Sequence, residues 1–289
     1  MPWMQLKIDT SNNLAEPISE ALEELEALAV TLEDRADQPI FEPQPGTTPL
    51  WKEVCVVGLF DTDTAVDPLI SQLEKRFGAL QWSSEQLEDR DWIRECMESF
   101  EPIRFGQHLW IVPSWHSAPD AEGVNLHLDP GLAFGTGTHP TTALCLEWLD
   151  AHPPKNSTVI DYGCGSGILG IAALKLGASH CIGIDTDPQA LEASHSNAEK
   201  NSVSDQLKLY LPDQIETKAA DLLLANILAN PLIELADKLA RLTKQGGVIV
   251  LSGILAEQAQ AVSDAYAPYF QMAKPVQQED WIRLEGIRK

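Results

Sequence analysis

The sequence predicts an α/β protein: a mostly parallel sheet closed by an antiparallel hairpin, preceded by a small α+β domain. From about residue 123, short apolar strands alternate with segments of helical periodicity. Repeated βα units of this kind imply a parallel sheet covered on both faces. Residues 1–87 follow the order strand, helix, strand, helix, strand, with room for one further strand. That order is typical of a ferredoxin-like sandwich.

The first domain is predicted from five apolar segments. Met4–Thr10 alternates like a strand and Ala15–Ala29 has helical spacing, whereas Val54–Phe60 is a compact strand. Asp67–Phe77 forms a second helix and Leu80–Trp82 begins another strand. Four prolines and a glycine between positions 39 and 49 predict an exposed loop or hairpin tip. The additional strand would lie in that loop.

The second domain, residues 121–289, follows a connector over residues 88–120. The connector contains a predicted helix, Trp92–Phe100, and an apolar hairpin from Ile103 through Trp110 to Trp115. The predicted strands of the second domain are Val159–Asp161, Cys181–Asp185, Leu207–Leu211, Asp221–Ala225 and Val248–Ser252. The predicted helices are Leu169–Leu176, Gln189–Asn201, Leu232–Leu242 and Ala256–Ala267, and the closing hairpin pairs Phe270–Val276 with Trp281–Ile287.

Composition narrows the class of protein. Apolar residues make up 44% of the 289 residues, which is typical of a globular chain. No run approaches the roughly 18 apolar residues of a membrane span, and the first residues do not resemble a signal peptide. The five cysteines are odd in number and lack a C-x-x-C pair, so neither a disulfide framework nor a metal site is predicted. We expect a cytoplasmic protein.

The chain is strongly acidic, with a net charge of −23. Residues 1–100 hold 21 acidic and 7 basic side chains, so the acidity is concentrated there. This balance argues against direct binding of nucleic acid, which requires a basic surface. Two interpretations remain: a solvated surface that keeps the protein soluble, which we favour on composition alone, or attraction of a basic protein partner.

A glycine-rich loop follows the first strand of the second domain. Asp161 ends this strand, and Gly163, Gly165 and Gly167 follow at alternate positions before a helix. Glycines allow a sharp turn and a close approach to a ligand. A dinucleotide loop would read G-x-G-x-x-G and direct amides at a pyrophosphate. The G-x-G-x-G spacing instead suits a cofactor that lacks phosphate and carries an ammonium, for which Asp161 is a partner, directly or through water.

Two further strand ends supply polar side chains. Asp185 lies at the tip of the second strand, where a carboxylate can accept both hydroxyls of a ribose. Asp187 precedes Pro188 and is predicted to cap the next helix. Asn226 follows four apolar residues at the end of the fourth strand, where a donor would meet its acceptor. Asn230, before a proline, is predicted to be a helix cap.

The segment from Leu128 to Thr142 precedes the first strand of the sheet. Three glycines lie within it, Phe134 could lie against an adenine or a sulfonium, and Thr142 offers a hydroxyl. An ordered loop of this length is usually functional. His139 is a candidate base, although we favour a role at the start of a helix because Pro140 follows it.

Together these motifs resemble the ribosomal protein L11 methyltransferase family. The resemblance rests on residues 129–142, Asp161–Gly167, Asp185 and 225–228, and extends through Asp91–Arg94 and 102–106. It is weak in the first 85 residues. The glycine loop is common to class I methyltransferases, whereas the Gly-Thr-Gly-Thr-His-Pro loop with Asn-Ile-Leu is more particular.

The resemblance implies S-adenosylmethionine as cofactor, with contacts on Thr142, Gly163, Asp185 and Asn226. The motifs themselves indicate four further cofactor contacts: Asp161, Gly165, Gly167 and Phe134. The resemblance also implies that the ferredoxin-like domain recognises a basic ribosomal protein of the large subunit. Lysine side chains and the N-terminal amine of that protein would be methylated. We expect a monomer with no membrane partner. Tyr162 and Asn230 depart from the residue types usual in the family.

The chemistry requires mainly placement of a neutral amine in line with an activated methyl group. No dedicated base stands out, so we assign the catalytic role to Asn226 as the group nearest the amine.

Alternatives stay open at this stage. One alternative is a methyltransferase that acts on another protein or a small amine, and a scaffold that binds the cofactor without turnover would have the same motifs. A nucleic-acid base methylase would show Asn-Pro-Pro-aromatic at the fourth strand, and a nicotinamide dehydrogenase would show the G-x-G-x-x-G spacing.

Overall fold

The structure, a computed structural model, describes residues 2–36, 38, 40, 47–88, 100–129, 137–214 and 218–289. The chain divides into two units, Met1–Glu95 and Cys96–Lys289. Phe134, the segment 91–94 and the predicted helix over 92–100, except its last residue, lie outside the described residues.

The first unit has the predicted ferredoxin-like order. Its elements are β1 (Trp3–Ser11), α1 (Asn12–Glu24), β2 (Ala29–Asp34), β3 (Glu53–Asp61), α2 (Val66–Phe77) and β4 (Gln81–Leu87). The strands form an antiparallel sheet in the order β2-β3-β1-β4. Apolar side chains from one face of this sheet pack with the buried sides of both helices, among them Leu6, Ile8, Ile18, Leu22 and Phe60.

The prediction of one helix over Ala15–Ala29 was wrong at its C-terminal end. The helix ends at Glu24, and Glu26 adopts a positive φ of 67°. Leu28, which lies within the predicted helix, is 54% exposed, and its amide donates to the carbonyl of Leu59. Pairing with β3 therefore overrides the local helical periodicity and creates the additional strand, β2, before the proline-rich segment rather than within it.

The second unit contains the larger sheet. The strands of this second unit are β5 (Ile103–Phe105), β6 (Leu109–Val112), β7 (Val124–His127), β8 (Thr158–Tyr162), β9 (His180–Ile184), β10 (Leu207–Tyr210), β11 (Ala220–Asn226), β12 (Thr243–Leu255), β13 (Phe270–Met272), β14 (Val276–Gln278) and β15 (Trp281–Arg288). Its described α-helices are α3 (Pro140–Ala151), α4 (Ile168–Lys175), α5 (Pro188–Lys200), α6 (Ala229–Glu234), α7 (Ala236–Leu242) and α8 (Ala259–Tyr266).

The large sheet has the order β10-β9-β8-β11-β12-β15-β13, with β14 also paired to β15. Strands β8 to β12 are parallel, whereas β15 runs antiparallel to β12 and to β13. This confirms the parallel sheet and its closing hairpin. The order reverses between β8 and β11, whose carboxyl ends lie side by side, so the switch point at which α/β sheets bind ligands is located here.

Two apolar cores cover the faces of this sheet. One contains α3 and α4 with side chains of β5, β6 and β7, and the other contains α6, α7 and α8. Residues 100–120 of the predicted connector contribute to the first core, because Phe105, Leu109 and Ile111 are buried in it. Strand β6 pairs antiparallel with β5, as the hairpin prediction requires, and parallel with β7. The hairpin ends at Val112 rather than at Trp115.

Two predicted helices are divided. Residues 232–242 fall in α6 and α7, which meet at Leu235, and residues 256–258 form a short 3-10 turn before α8. Within the described part of the chain, no helix is long and apolar enough to cross a membrane.

Candidate functional site

The loop after β8 has the backbone conformation that the three glycines allow. Gly163 and Gly167 have φ values of 78° and 79°, in the left-handed region that other residues rarely adopt. A Cβ atom on Gly163 would overlap the side chain of Ile227, which follows β11. A Cβ on Gly167 would lie 2.9 Å from Ser194 Oγ. The loop therefore leaves no room for side chains at these two positions.

Hydrogen bonds hold the loop from two sides. The amides of Gly163 and Cys164 both donate to the carbonyl of Ile184, at 2.7 and 3.0 Å. From α5, Ser194 Oγ donates to the Gly165 carbonyl at 2.8 Å, and Asn197 Nδ2 donates to the Ser166 carbonyl at 2.9 Å. Ser194 and Asn197 were missed by the sequence analysis, because nothing in a helical period indicates which polar residue contacts a distant loop.

Asp185 lies directly after β9 and contacts this loop. One carboxylate oxygen accepts from the Gly165 amide at 2.9 Å and the other from the Asp187 amide at 3.0 Å. Each oxygen of a carboxylate can accept more than one hydrogen bond, so both keep acceptor capacity. Asp187 caps α5, as predicted, by accepting from the Gln189 amide at 2.9 Å with Pro188 in the first turn.

Asp161 is a buried carboxylate beneath the loop. Its Oδ2 accepts from the Gly170 amide at 2.9 Å, while Oδ1 has no hydrogen-bond partner among the described residues. Burial raises the pKa of Asp161 from 3.8 to about 7; the Gly170 amide opposes this shift and the negative charge of Asp185 adds to it. An unpartnered buried carboxylate oxygen is costly, so the group is suited to receive a cationic or hydrogen-donating ligand.

Thr142 and Asn226 are brought together. Asn226, the last residue of β11, donates through Nδ2 to Thr142 Oγ1 at 3.2 Å, and Thr142 is fully buried in the first turn of α3. Asn226 lies two residues beyond Leu224, which pairs with Asp161 across the switch point. The fourth strand, the glycine loop and α3 thus meet at one edge of the sheet.

Three other residues that the sequence singled out, His139, Asn230 and Tyr162, also have defined positions in the structure. His139 caps α3, as favoured: its ring accepts from the Thr141 amide. Burial lowers the pKa of His139, against a smaller opposing effect of the Glu279 carboxylate. The prediction that Asn230 is a helix cap was wrong, because α6 begins at Ala229 and its N-cap position is Leu228. Tyr162 is buried, and its hydroxyl accepts from Lys238 Nζ at 3.1 Å.

A cavity of about 520 Å³ lies at the opposite edge of the sheet, near the amino ends of the parallel strands. Its lining includes Thr158, His180, Lys208, Ala220 and Lys244, and none of the predicted site residues. Across the described ranges, no group of His, Cys, Asp and Glu side chains is arranged to hold a metal ion. The predicted site residues lie instead at the carboxyl edge, where the glycine loop, Asp185 and Asn226 meet.

Comparison with known proteins gives the family. The model of the family described as "Ribosomal protein L11 methyltransferase (PrmA)" matches residues 2–289. The chain belongs to this family. The ribosomal protein L11 methyltransferase of Marinobacter nauticus is 56% identical over 296 residues, covering 100% of this chain and 99% of that protein. The ribosomal protein L11 methyltransferase of Salmonella heidelberg is 55% identical over 293 residues, covering 100% of both chains.

A solved structure agrees with this assignment. The ribosomal protein L11 methylase of Lactobacillus delbrueckii subsp. bulgaricus is similar over 66% of this chain and 100% of that chain, with 34% identity and a TM-score of 0.61. Membership of the ribosomal protein L11 methyltransferase family confirms the predicted family, the class I fold and the class of reaction, transfer of a methyl group from S-adenosylmethionine.

Proposed function

We propose that this chain transfers methyl groups from S-adenosylmethionine to amines of ribosomal protein L11, namely lysine side chains and the N-terminal amine. The observation that carries the proposal is the Asn226–Thr142 hydrogen bond, 3.2 Å long, at the switch point beside the glycine loop. This polar pair supports the proposal, because a methyl donor held by that loop would meet its acceptor at the same edge of the sheet. Family membership supports the substrate.

The described residues fit the cofactor. The side chain of Ile227 fills the space in which a Cβ of Gly163 would lie, so the tight turn requires glycine there. The amides of Gly165 and Gly167 are fixed by hydrogen bonds to the Asp185 carboxylate and the Cys164 carbonyl. We assign ribose binding to Asp185 and the amino-acid end of the cofactor to Asp161, whose free oxygen suits an ammonium. Thr142, Gly163, Gly165 and Gly167 complete the described part of the proposed site; the proposed contact of Phe134 lies outside the described residues.

When bound, the cofactor supplies an activated methyl group on a sulfonium. The contribution of the chain is to orient the acceptor amine and to favour its neutral form. A free lysine has a pKa of about 10.4, and transfer into a partly desolvated site lowers it because burial disfavours the charged form. We assign Asn226 to the catalytic position. Its amide, held by Thr142, keeps a carbonyl oxygen that can accept a hydrogen bond from the amine.

We further propose that the first unit captures the substrate through its acidic surface. Exposed carboxylates are frequent on α1, at Glu16, Glu20, Glu23 and Glu24. Only Glu24 among these four has an ion pair in the described structure, with Arg76 at 2.7 Å. The remaining negative charges are available to attract a basic protein.

The proposal is tested by incubating the full chain with radiolabelled S-adenosylmethionine and purified L11, and by locating the methyl groups with mass spectrometry. We expect label on amines of L11, and a loss of kcat of about 10²-fold for Asn226→Ala, the size expected when a positioning group is lost. Asn230→Ala is the matched control, because Asn230 is an exposed amide four residues further along the chain.

Two results would contradict the proposal. Label on small amines or on other proteins but not on L11 would mean that the substrate is different. Cofactor binding without any transfer would mean that the chain is a scaffold. Equal activities of the two alanine variants would remove Asn226 from the catalytic position while leaving the substrate assignment intact.

A further inference from the structure

Helix α3 is held by strand β15, which contributes no residue to the site proposed above. Arg283 of β15 donates through Nη1 to the carbonyl of Leu144 in α3 at 3.1 Å. The Arg283 side chain is only 11% exposed, and its Nη2 lies 3.3 Å from Glu285 Oε2 on the same strand. The guanidinium is therefore fixed between a carboxylate of its own strand and the backbone of the helix.

Neighbouring contacts join the same helix to the sheet. The ring of Trp281, at the start of β15, meets the ring of His139 edge-on, with centroids 4.9 Å apart. In the second turn of α3, Cys145 is fully buried in the core that also contains Val250 of β12. Ser252, two residues beyond Val250 on this strand, pairs in register with Asn226. The start and the middle of α3 are thus both attached to strands beside the proposed site.

We propose that Arg283 is a positioning residue for methyl transfer. Leu144 lies two residues after Thr142 in one continuous helix, so the guanidinium that holds the Leu144 carbonyl also sets the place of the Thr142 hydroxyl. This hydroxyl accepts from Asn226 Nδ2 at 3.2 Å, a distance at which a small shift of the helix breaks the bond. The inference rests on the proposed function, because it takes Thr142 and Asn226 as parts of the cofactor and amine site.

Arg283 has the properties that this role needs. A guanidinium presents its donors in a rigid plane, so it can hold two acceptors in fixed relative positions. Its burial limits competition from water. A helix transmits a displacement of one turn to the next, and a misplacement of about 1 Å near reacting groups can reduce a rate by 10²-fold. Arg283 therefore acts through α3 without touching the cofactor or the amine.

The test compares Arg283→Met with Arg288→Met in the full chain. Arg288 lies on the same strand and also donates to a backbone carbonyl, that of Tyr269 at 2.9 Å. Both variants lose one arginine–carbonyl bond, but only Arg283 contacts α3. We expect cofactor affinity, measured by calorimetry, to weaken about tenfold in Arg283→Met, with a similar fall in kcat, and both to stay within about twofold in Arg288→Met.

Calorimetry separates positioning from a loss of folded protein. Partial unfolding lowers the number of binding sites, whereas misplacement of Thr142 raises the Kd at full occupancy. Arg283→Lys keeps the positive charge and one donor nitrogen, so its Kd for the cofactor should lie between those of the wild type and Arg283→Met. The lysine variant also takes the place of Arg283→Met if the methionine variant does not fold. The inference would be overturned if Arg283→Met had the wild-type Kd for the cofactor, or if the two methionine variants changed this Kd equally. Because the Kd needs no methyl acceptor, this result is independent of whether L11 is the substrate.

Discussion

The carboxylate of Asp185 and the backbone amide of Gly165 form a hydrogen bond of 2.9 Å that joins the end of β9 to the glycine loop after β8. The two residues follow adjacent parallel strands, whose carboxyl ends meet at the same edge. One oxygen of Asp185 therefore helps to shape the loop, and the acceptor capacity that remains faces the same edge. A residue that the sequence predicts only as a ligand contact also supports the backbone of the site.

Replacing Asp185 should affect cofactor binding more than stability. We expect Asp185→Ala to weaken the affinity for S-adenosylmethionine by roughly ten- to hundredfold, because hydrogen bonds to a charged acceptor contribute about 1.5–3 kcal/mol. Asp187→Ala is the control. It removes the cap of α5 and should cost about 1 kcal/mol of stability while leaving affinity unchanged. Calorimetry and thermal unfolding of both variants check this, and unchanged affinity in Asp185→Ala would refute the ribose assignment.

Asp161 should make the cofactor-free protein less stable as pH rises. Its pKa is raised to about 7 in the folded state, so the folded protein binds this proton more tightly than the unfolded chain does. The resulting stabilisation is complete below about pH 4 and is lost as pH rises through 7. Asp161→Asn carries no charge, and its advantage in melting temperature over the wild type should be several degrees larger at pH 8 than at pH 5.

The same substitution should lower cofactor affinity, because a neutral amide cannot pair with an ammonium. Scanning calorimetry at the two pH values, with and without S-adenosylmethionine, measures both effects. A melting difference that does not change with pH would show that the buried carboxylate is already neutral or solvated at pH 8. Undiminished stabilisation of Asp161→Asn by the cofactor would remove Asp161 from the site.

The length of the catalytic fragment should decide whether it folds. A fragment of residues 96–289 keeps β5 and β6, whereas one of residues 121–289 loses them together with buried Phe105, Leu109 and Ile111. Because the removal of one large core side chain costs about 2–5 kcal/mol, the shorter fragment should be strongly destabilised. We expect the longer fragment to bind cofactor but to methylate L11 poorly. Urea unfolding and activity assays test both points, and full activity of the longer fragment on L11 would contradict substrate capture by the first unit.

Salt should slow capture of the protein substrate without affecting the cofactor. Residues 1–100 carry 21 acidic and 7 basic side chains, and a ribosomal protein that binds rRNA is expected to be basic. Their attraction is screened over about 8 Å at physiological ionic strength. We therefore expect kcat/KM for L11 to fall steeply between low and physiological salt, while the Kd for the cofactor, which depends on short contacts, barely changes.

The same electrostatic argument favours free L11 as the substrate, because rRNA phosphates in the assembled particle would repel the acidic unit. Kinetics with free L11 and with intact ribosomes, each across a salt series, distinguish the two cases. A flat kcat/KM, or faster methylation of intact ribosomes, would show that the acidity serves only to solvate the surface.

Local motifs were sufficient to predict which residues of the proposed site lie at one edge of the sheet. The glycine loop and Asp185 each follow an apolar strand within a few residues, and the carboxyl ends of adjacent parallel strands must meet at one edge. The position of Asn226 follows from the same rule once β11 is assigned. The caps at His139 and Asp187 were also predictable, because a polar residue before a proline is a local signal for the start of a helix.

The amino-acid sequence by itself thus determined the class of fold, the edge at which the residues of the proposed site lie and the glycine-rich character of its loop, because these depend on residues close together in the chain. Only the tertiary structure decided which distant side chains meet. Thr142 and Asn226 are 84 residues apart, and Leu144 and Arg283 are 139 apart. The burial that raises the pKa of Asp161 and the pairing that converts Ala29–Asp34 into a strand arise likewise from packing. Such contacts depend on the summed free energy of the whole core, which the local periodicity of the sequence does not predict.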